Sequence, residues 1–399
     1  MYCNGLTIFW NVHSEGIYST VLAIFLLLFR RKRILFGRIV VSLHLNLLFL
    51  VLRQRKPYKM KGHDIWWGLI EPTYNHYKNH FAHLLNYRNK DNDMIPIHFA
   101  PLQGYTEDCY RRIHHEVCGG VDCYYSPFMR LEHGKVRSKD MRDVKPENNE
   151  GVPVVPQVIV RDVKELDALT DVVRTLGYGR VDINMGCPFP LQTNHGRGAG
   201  LLARPKEVRA ICRRIAENGD MQFSVKMRIG IEDREEWRTV VPMLNDTPLT
   251  HVTVHPRLST QGYKGEVDMD AFAEIAGVCR HPLIYNGDIG SVEDIERIER
   301  EFPDIKGVMI GRGLLARPTL AEEYKSGATM ADGEVVRIIK CMHARMAEEY
   351  GRFIPGESQL LMKLRTFWDY MEPTIGRKQW KKIHKAGNMK NYMAAVGGA

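Results

Sequence analysis

The sequence predicts a closed parallel (β/α)8 barrel, a TIM barrel, followed by a C-terminal helical domain. Three observations carry that expectation. From Met94 onward, short runs rich in β-branched residues recur along the chain. Amphipathic stretches of helical period separate them, which suits strand–helix units and a parallel sheet. The residues directly after the runs are polar or glycine-rich, and in such a barrel the working groups sit at the C-terminal ends of the strands.

In chain order, strands are expected at Ile95–Ala100, Val121–Tyr125, Val154–Val160, Val181–Met185, Phe223–Met227, His251–His255, Leu283–Asn286 and Gly307–Ile310. Helices are expected at Lys164–Thr175, Pro205–Glu217, Glu235–Leu244, Met269–Val278 and Val292–Glu301. Three more, Gly333–Tyr350, Glu357–Met371 and Arg377–Ala395, follow the barrel. These elements place the barrel over residues 94–320 and the helical domain over 321–399.

Residues 1–93 read as an extension. The apolar run Ile17–Phe29 has 13 residues, short of the roughly 20 that a bilayer span needs. A second run, Ile34–Leu52, contains Arg38, an expensive residue inside a membrane. The basic cluster Arg30-Arg31-Lys32-Arg33 follows the first run, whereas a signal peptide carries its basic residues in front. The expectation is that residues 1–93 lie outside the working protein, with Met94 as the true start. A membrane-associating interfacial hairpin and an ordinary folded appendage are the alternatives.

The net charge of +9 is unevenly spread. Residues 1–93 carry 13 basic and 5 acidic side chains, and residues 359–399 carry 8 and 2. The middle of the chain is not cationic. Cationic ends point to a polyanionic partner, or to solvated helix faces. The eight cysteines contain no CxxC pair, so a reduced, cytoplasmic setting is expected.

The strand ends suggest chemistry. Barrels commonly hold phosphate at the loops after strands seven and eight. Here those loops are Asn286-Gly287-Asp288 and Gly311-Arg312-Gly313. Gly287 and Gly311 let backbone amides approach an anion, and Arg312 adds charge. Lys226 and His255 supply further polar groups from strands five and six. Gln103 and Gln157 suit the edge of a heteroaromatic ring. A phosphorylated flat cofactor fits this set, FMN best. No Gly-x-Gly-x-x-Gly opens a helix after a strand, which argues against a dinucleotide fold.

Cys187 follows the fourth strand in Asn184-Met185-Gly186-Cys187-Pro188. A thiol there could act as nucleophile, metal ligand or general acid. Nucleophilic hydrolysis wants a base, which His255 could supply, and an oxyanion hole. A metal wants further clustered ligands, and none are apparent. A proton donor beside a flavin needs neither.

At these residues the chain resembles the tRNA-dihydrouridine synthase family, from about Met94 to the C-terminus. The resemblance rests on Ala100-Pro101-Leu102-Gln103-Gly104-Tyr105-Thr106, Gln157, Asp182-Ile183-Asn184-Met185-Gly186-Cys187-Pro188, Val225-Lys226-Met227-Arg228, His255-Pro256-Arg257 with Gln261-Gly262-Tyr263, Asn286-Gly287-Asp288-Ile289, and Met309-Ile310-Gly311-Arg312-Gly313. It implies FMN contacts from Pro101, Leu102, Gln103, Gln157, Lys226, His255, Asn286, Gly287, Asp288, Gly311 and Arg312. It further implies NADPH as reductant, hydride transfer to uracil C6, and protonation of C5 by Cys187. Asn184 and Arg228 would hold the base, which must leave its stack to react.

The sequence departs from the family at Asn194–Gly200 and at Pro256, which stiffens the loop after His255. The C-terminal helices fit a tRNA partner. Lys363 and Arg365 are candidate substrate contacts. Arg377, Lys378, Lys381, Lys382, Lys385 and Lys390 suit phosphates, while Phe367, Trp368 and Tyr370 read mainly as core. The branch acting on position 16 of the D-loop is the nearest pattern. A monomer without metal is expected. An FMN barrel acting on a small molecule, like dihydroorotate dehydrogenase, and a non-catalytic tRNA-binding protein are the competing readings. The first leaves the cationic tail unexplained, and the second leaves Cys187, Lys226 and His255 unexplained.

Overall fold

The computed structural model describes residues 94–398, so the expectations for residues 1–93 lie outside the described residues. The strands are β1 (Ile97–Phe99), β2 (Cys123–Tyr125), β3 (Leu131–Glu132), β4 (Lys135–Val136), β5 (Val154–Val155), β6 (Gln157–Val158), β7 (Arg180–Met185), β8 (Gln222–Gly230), β9 (Leu249–Leu258), β10 (Leu283–Asn286) and β11 (Val308–Ile310). β3 and β4 form a small antiparallel hairpin. The others make one parallel sheet in the order β5-β2-β1-β11-β10-β9-β8-β7-β6.

Its two end strands, β5 and β6, are neighbours in sequence, separated only by Pro156. Proline has no N–H to donate, so a regular ladder breaks there. β5 pairs with β2, and β6 pairs with β7. The two short strands are therefore halves of the third barrel strand, and the sheet closes into a ring. The eight expected strands are the eight staves.

Side chains alternate across each strand. Val181, Ile183 and Met185 of β7, and Phe223, Val225 and Met227 of β8, join the apolar layer under the helices. The intervening Asp182, Asn184, Ser224, Lys226 and Arg228 face the barrel axis. Low in the barrel, the Tyr125 hydroxyl lies 3.0 Å from both His98 Nδ1 and His251 Nε2. Burial pushes His98 down to about 4 and His251 to about 3, so both are neutral at pH 7.

Three of the outer helices start where the sequence supplies a side-chain cap. Asp162 accepts from Glu165 N at 2.9 Å to open Val163–Thr175. Asp268 does the same for Met269–Val278, and Ser291 forms a capping box for Val292–Glu301. The expected helix positions agree with these to within a residue or two.

The C-terminal region differs in detail. The first helix there is Asp332–Gly351, close to its expected span. The second stops at Thr366 and gives way to turns. The third was expected to run unbroken over Arg377–Ala395. It splits into Arg377–Lys385 and Met389–Gly397. Gly387 is a poor helix residue, and Asn388 caps the new helix by accepting from Asn391 N at 2.9 Å. Trp368 is fully buried at the centre of this region. Its indole N–H donates to the Tyr392 hydroxyl at 2.9 Å, which also meets His343 Nε2 at 2.7 Å.

These helices are tied to the barrel. Asp332–Gly351 packs on the barrel helix Asp108–Val117, with Arg112 bonded to Glu349 at 2.5 Å and Arg345 paired with Glu116. The helix Leu320–Ser326 rests on Gly120, whose φ is +73°. A Cβ there would come within 2.3 Å of Glu322 N and 2.4 Å of Ala321 C. Gly120→Ala is expected to cost about 2–4 kcal/mol, from the left-handed backbone and the clash together. Urea unfolding measures this. An unchanged midpoint would mean that the helix can move aside without loss.

Candidate active site

The C-terminal ends of β1, β7, β8, β9, β10 and β11 surround a cavity of about 630 Å³, within the range of small-molecule and cofactor sites. It brings together Pro101, Leu102, Gln103, Asn184, Cys187, Lys226, Arg228, His255, Asn286, Gly287, Asp288, Gly311 and Arg312. The expectation from strand ends therefore converges on one place.

Three expected site residues do not line it. Gln157 is fully buried behind Asn184, to which it is hydrogen-bonded at 2.8 Å. Lys363 donates to Glu107 at 2.6 Å and to Gly104 O at 3.3 Å, holding the helix Glu357–Thr366 against the barrel. Arg365 donates to Ala386 O at 2.6 Å. The structure does not bring these two cations to the cavity.

Several aromatic liners were not anticipated. Tyr105, Phe128, Phe189, Tyr263 and Tyr370 all face the cavity, with Pro373 beside them. Tyr105 and Tyr263 belong to motifs that were noticed without a role. Tyr370 comes from the C-terminal helices and meets Tyr105 edge-on at 5.1 Å. Nothing local in the sequence marks it as a cavity residue.

The cavity is electropositive. Its lining holds Lys226, Arg228 and Arg312 against a single carboxylate, Asp288. Asp288 adopts φ 44°, unusual for a non-glycine residue, and its carboxylate joins two arginines. It accepts from Arg312 at 2.8 Å and from both Nη atoms of the buried Arg257. The hydrogen bond from Arg257 holds Asp288 below the usual carboxylate range. Arg312 also lies over the Tyr263 ring, 4.6 Å from its centre.

Arg228 donates to Gly186 O at 3.0 Å, Leu258 O at 2.7 Å and Gly262 O at 2.7 Å. It thus ties the Cys187 loop to the loop after β9. Burial, then the neighbouring arginines, lowers it to about 10, still charged at pH 7. Lys226 is different. Its Nζ has no hydrogen-bond or ion-pair partner among the described residues. Burial and Arg228 bring it down to about 8. His255 is pushed well below its usual value by burial and by Lys226, Arg228, Arg257 and Arg312, so it is neutral.

Cys187 is 7% exposed, and burial raises its thiol above the ordinary cysteine value, against the opposing pull of Phe189 N–H, Arg228 and Lys226. At neutral pH the sulfur keeps its proton. Its loop is clamped by Asn184, whose Oδ1 accepts from Cys187 N at 2.8 Å and Gly186 N at 3.1 Å. Among the described residues, no group of three or more His, Cys, Asp or Glu is placed to hold a metal ion.

Residues 98–395 match the profile of the dihydrouridine synthase (Dus) family. Among curated relatives, the tRNA-dihydrouridine(16) synthase of Pseudomonas putida is 28% identical over 310 residues, covering 76% of this chain and 88% of that protein. The enzyme of the same name from Cupriavidus necator is 28% identical over 281 residues, covering 65% and 86%. Among solved structures, morphinone reductase aligns over 59% of this chain and 86% of its own, with a TM-score of 0.41 and 13% identity. With the family match spanning nearly the whole described region, the chain belongs to the dihydrouridine synthase family.

Proposed function

We propose that this chain is an FMN-dependent tRNA-dihydrouridine synthase. It would reduce the C5–C6 bond of a D-loop uridine, at position 16, with Cys187 as the acid that protonates C5. One observation carries the reading. A buried, protonated thiol and a half-buried lysine with no partner among the described residues line the same electropositive cavity.

The cavity fits FMN. Lys226 has no hydrogen-bond or ion-pair partner among the described residues, and an anionic or electron-rich ligand would supply one. The loop at Gly287 is packed too closely for a side chain, since a Cβ there would meet Val267 Cγ1 at 2.8 Å. Arg312 and the arginine-bound Asp288 lie at the loops where barrels bind phosphate. Pro101, Leu102, Gln103 and Asn286 line the same space. When bound, FMN would supply the hydride for C6, with NADPH as its reductant.

The residues of the chain perform the remaining tasks. The Cys187 Sγ–H holds a proton at neutral pH and can deliver it to C5. Arg228 uses three of its five N–H groups on carbonyls and keeps two to offer a base. The Asn184 oxygen is fully engaged, so only its second amide N–H is left for substrate. Tyr105, Tyr263 and Tyr370 give the mouth aromatic surfaces suited to an extruded base.

The helical region, residues 321–399, would hold the tRNA body. Lys378, Lys381, Lys382, Lys385 and Lys390 are exposed and form no ion pair among the described residues. Such lysines suit phosphates. Lys363 and Arg365 are spent on internal bonds and contribute to that surface only indirectly.

The decisive test is to purify the protein, look for bound flavin, and map dihydrouridine in tRNA from a deletion strain with and without it. A colourless protein, or tRNA left unchanged at position 16, would overturn the reading. Cys187→Ala should retain flavin and lose roughly 10²–10⁴-fold in turnover. Turnover equal to wild type would remove the thiol from its role. FMN affinity should weaken as pH rises through about 8, where the free protein's Lys226 loses its charge. Lys226→Met should abolish that pH dependence, and a titration by flavin fluorescence that finds it intact would show that Lys226 is not the group involved. Lys381→Glu with Lys385→Glu should raise KM for tRNA and flatten its salt dependence, with kcat little changed.

A further inference from the structure

Asp182 lies on the floor of the barrel, fully buried, and touches nothing that reacts. Strand register places it beside Ser224 on one side and Gln157 on the other. Its Oδ1 accepts from Ser224 Oγ at 2.6 Å, and its Oδ2 accepts from Gln157 Nε2 at 2.7 Å. Gln157 Oε1 in turn accepts from Asn184 Nδ2 at 2.8 Å. Asn184 Oδ1 then accepts the amides of Gly186 and Cys187.

The chain of bonds has a direction, and both ends agree on it. Backbone N–H groups can only donate, so they require an oxygen from Asn184. That turns the Asn184 amide nitrogen toward Gln157 and demands an oxygen there. The Gln157 nitrogen is then left facing the floor, where it needs an acceptor, and Asp182 is one. Gln157 and Asp182 have no water to fall back on, because both are fully buried.

We infer that Asp182 is a positioning residue for Cys187: by accepting from Gln157 it locks the Gln157–Asn184 relay that clamps the cysteine loop. The inference rests on the proposed role of Cys187 only for its effect on turnover. The effect on the loop stands apart from that role.

A packing role would be met by any side chain of similar volume. A buried carboxylate can often be replaced by an apolar group without loss of stability. Asp182→Leu removes the acceptor, with a side chain larger than aspartate. Asp182→Asn can keep the acceptor at the same size, by turning its oxygen to Gln157 and its amide to the Ser224 hydroxyl. Gln157→Met breaks the relay with a side chain close in shape to glutamine, so the three variants together separate acceptor from volume.

The test measures alkylation of Cys187 by iodoacetamide, followed by peptide mass spectrometry, alongside thermal melting and the kinetics of tRNA reduction. In Asp182→Leu the loop is freed, and Cys187 should alkylate about tenfold faster or more. In the same variant kcat should fall by up to about 100-fold with KM for tRNA little changed, as a small misplacement of a reacting group allows. Asp182→Asn should stay within a few-fold of wild type in both readouts. If Asp182→Leu fails to fold, Gln157→Met breaks the middle of the relay and should release Cys187 in the same way. A folded Asp182→Leu or Gln157→Met with wild-type Cys187 reactivity would overturn the inference, and so would an Asp182→Asn variant as disturbed as Asp182→Leu. Faster alkylation with undiminished turnover would support the relay and sink the proposed acid role instead.

Discussion

Ring closure around Pro156 organises the rest of the molecule. The proline splits one stave so that each half serves a different neighbour, β2 on one side and β7 on the other. Once the parallel sheet closes, every stave ends at the same rim. Residues far apart in sequence, from Pro101 to Arg312, then meet in one cavity without any loop having to reach for it. The two-residue period does the remaining sorting. Along β8, Val225 and Met227 turn out to the helices, while Ser224, Lys226 and Arg228 turn in.

That geometry concentrates like charge, and the structure manages it unequally. Arg257 and Arg312 share Asp288, and Arg228 is satisfied by carbonyls. Lys226 is left with the electrostatic pull of Asp182 and Cys187, and the Asp182 carboxyl is itself pushed up to about 6 by burial. A half-buried cation without a hydrogen-bonded counterion is unfavourable. The same imbalance makes an electron-rich ligand welcome. Neutral His255 belongs to this arrangement, because burial first and the surrounding cations second deny it a proton.

Much of this was legible in the sequence, for a physical reason. Strands and barrel helices follow from local periodicity and local caps, such as Ser291 and Asp268, so their positions could be read directly. The rim residues followed from the strands. What was not legible depended on tertiary contact. Lys363 and Arg365 look like free cations in sequence, yet Glu107 and Ala386 O claim them in the fold. The break at Gly387-Asn388 pairs a weak helix former with a good cap, a local signal that the expectation of one unbroken helix passed over. Tyr370 carried no local signal, because its place is set by how the C-terminal helices dock.

That docking has a consequence for how such enzymes can diverge. Tyr370 and Pro373 form part of the cavity wall, and Tyr105 donates to Asp369 at 2.9 Å across the join. The C-terminal helices are thus not an interchangeable handle bolted onto a finished catalyst. A chimaera that exchanged everything after residue 320 would also rebuild one side of the reaction chamber. Changes in the surface of the C-terminal helices and changes in the shape of the cavity are then coupled, because both are written in the same stretch of chain.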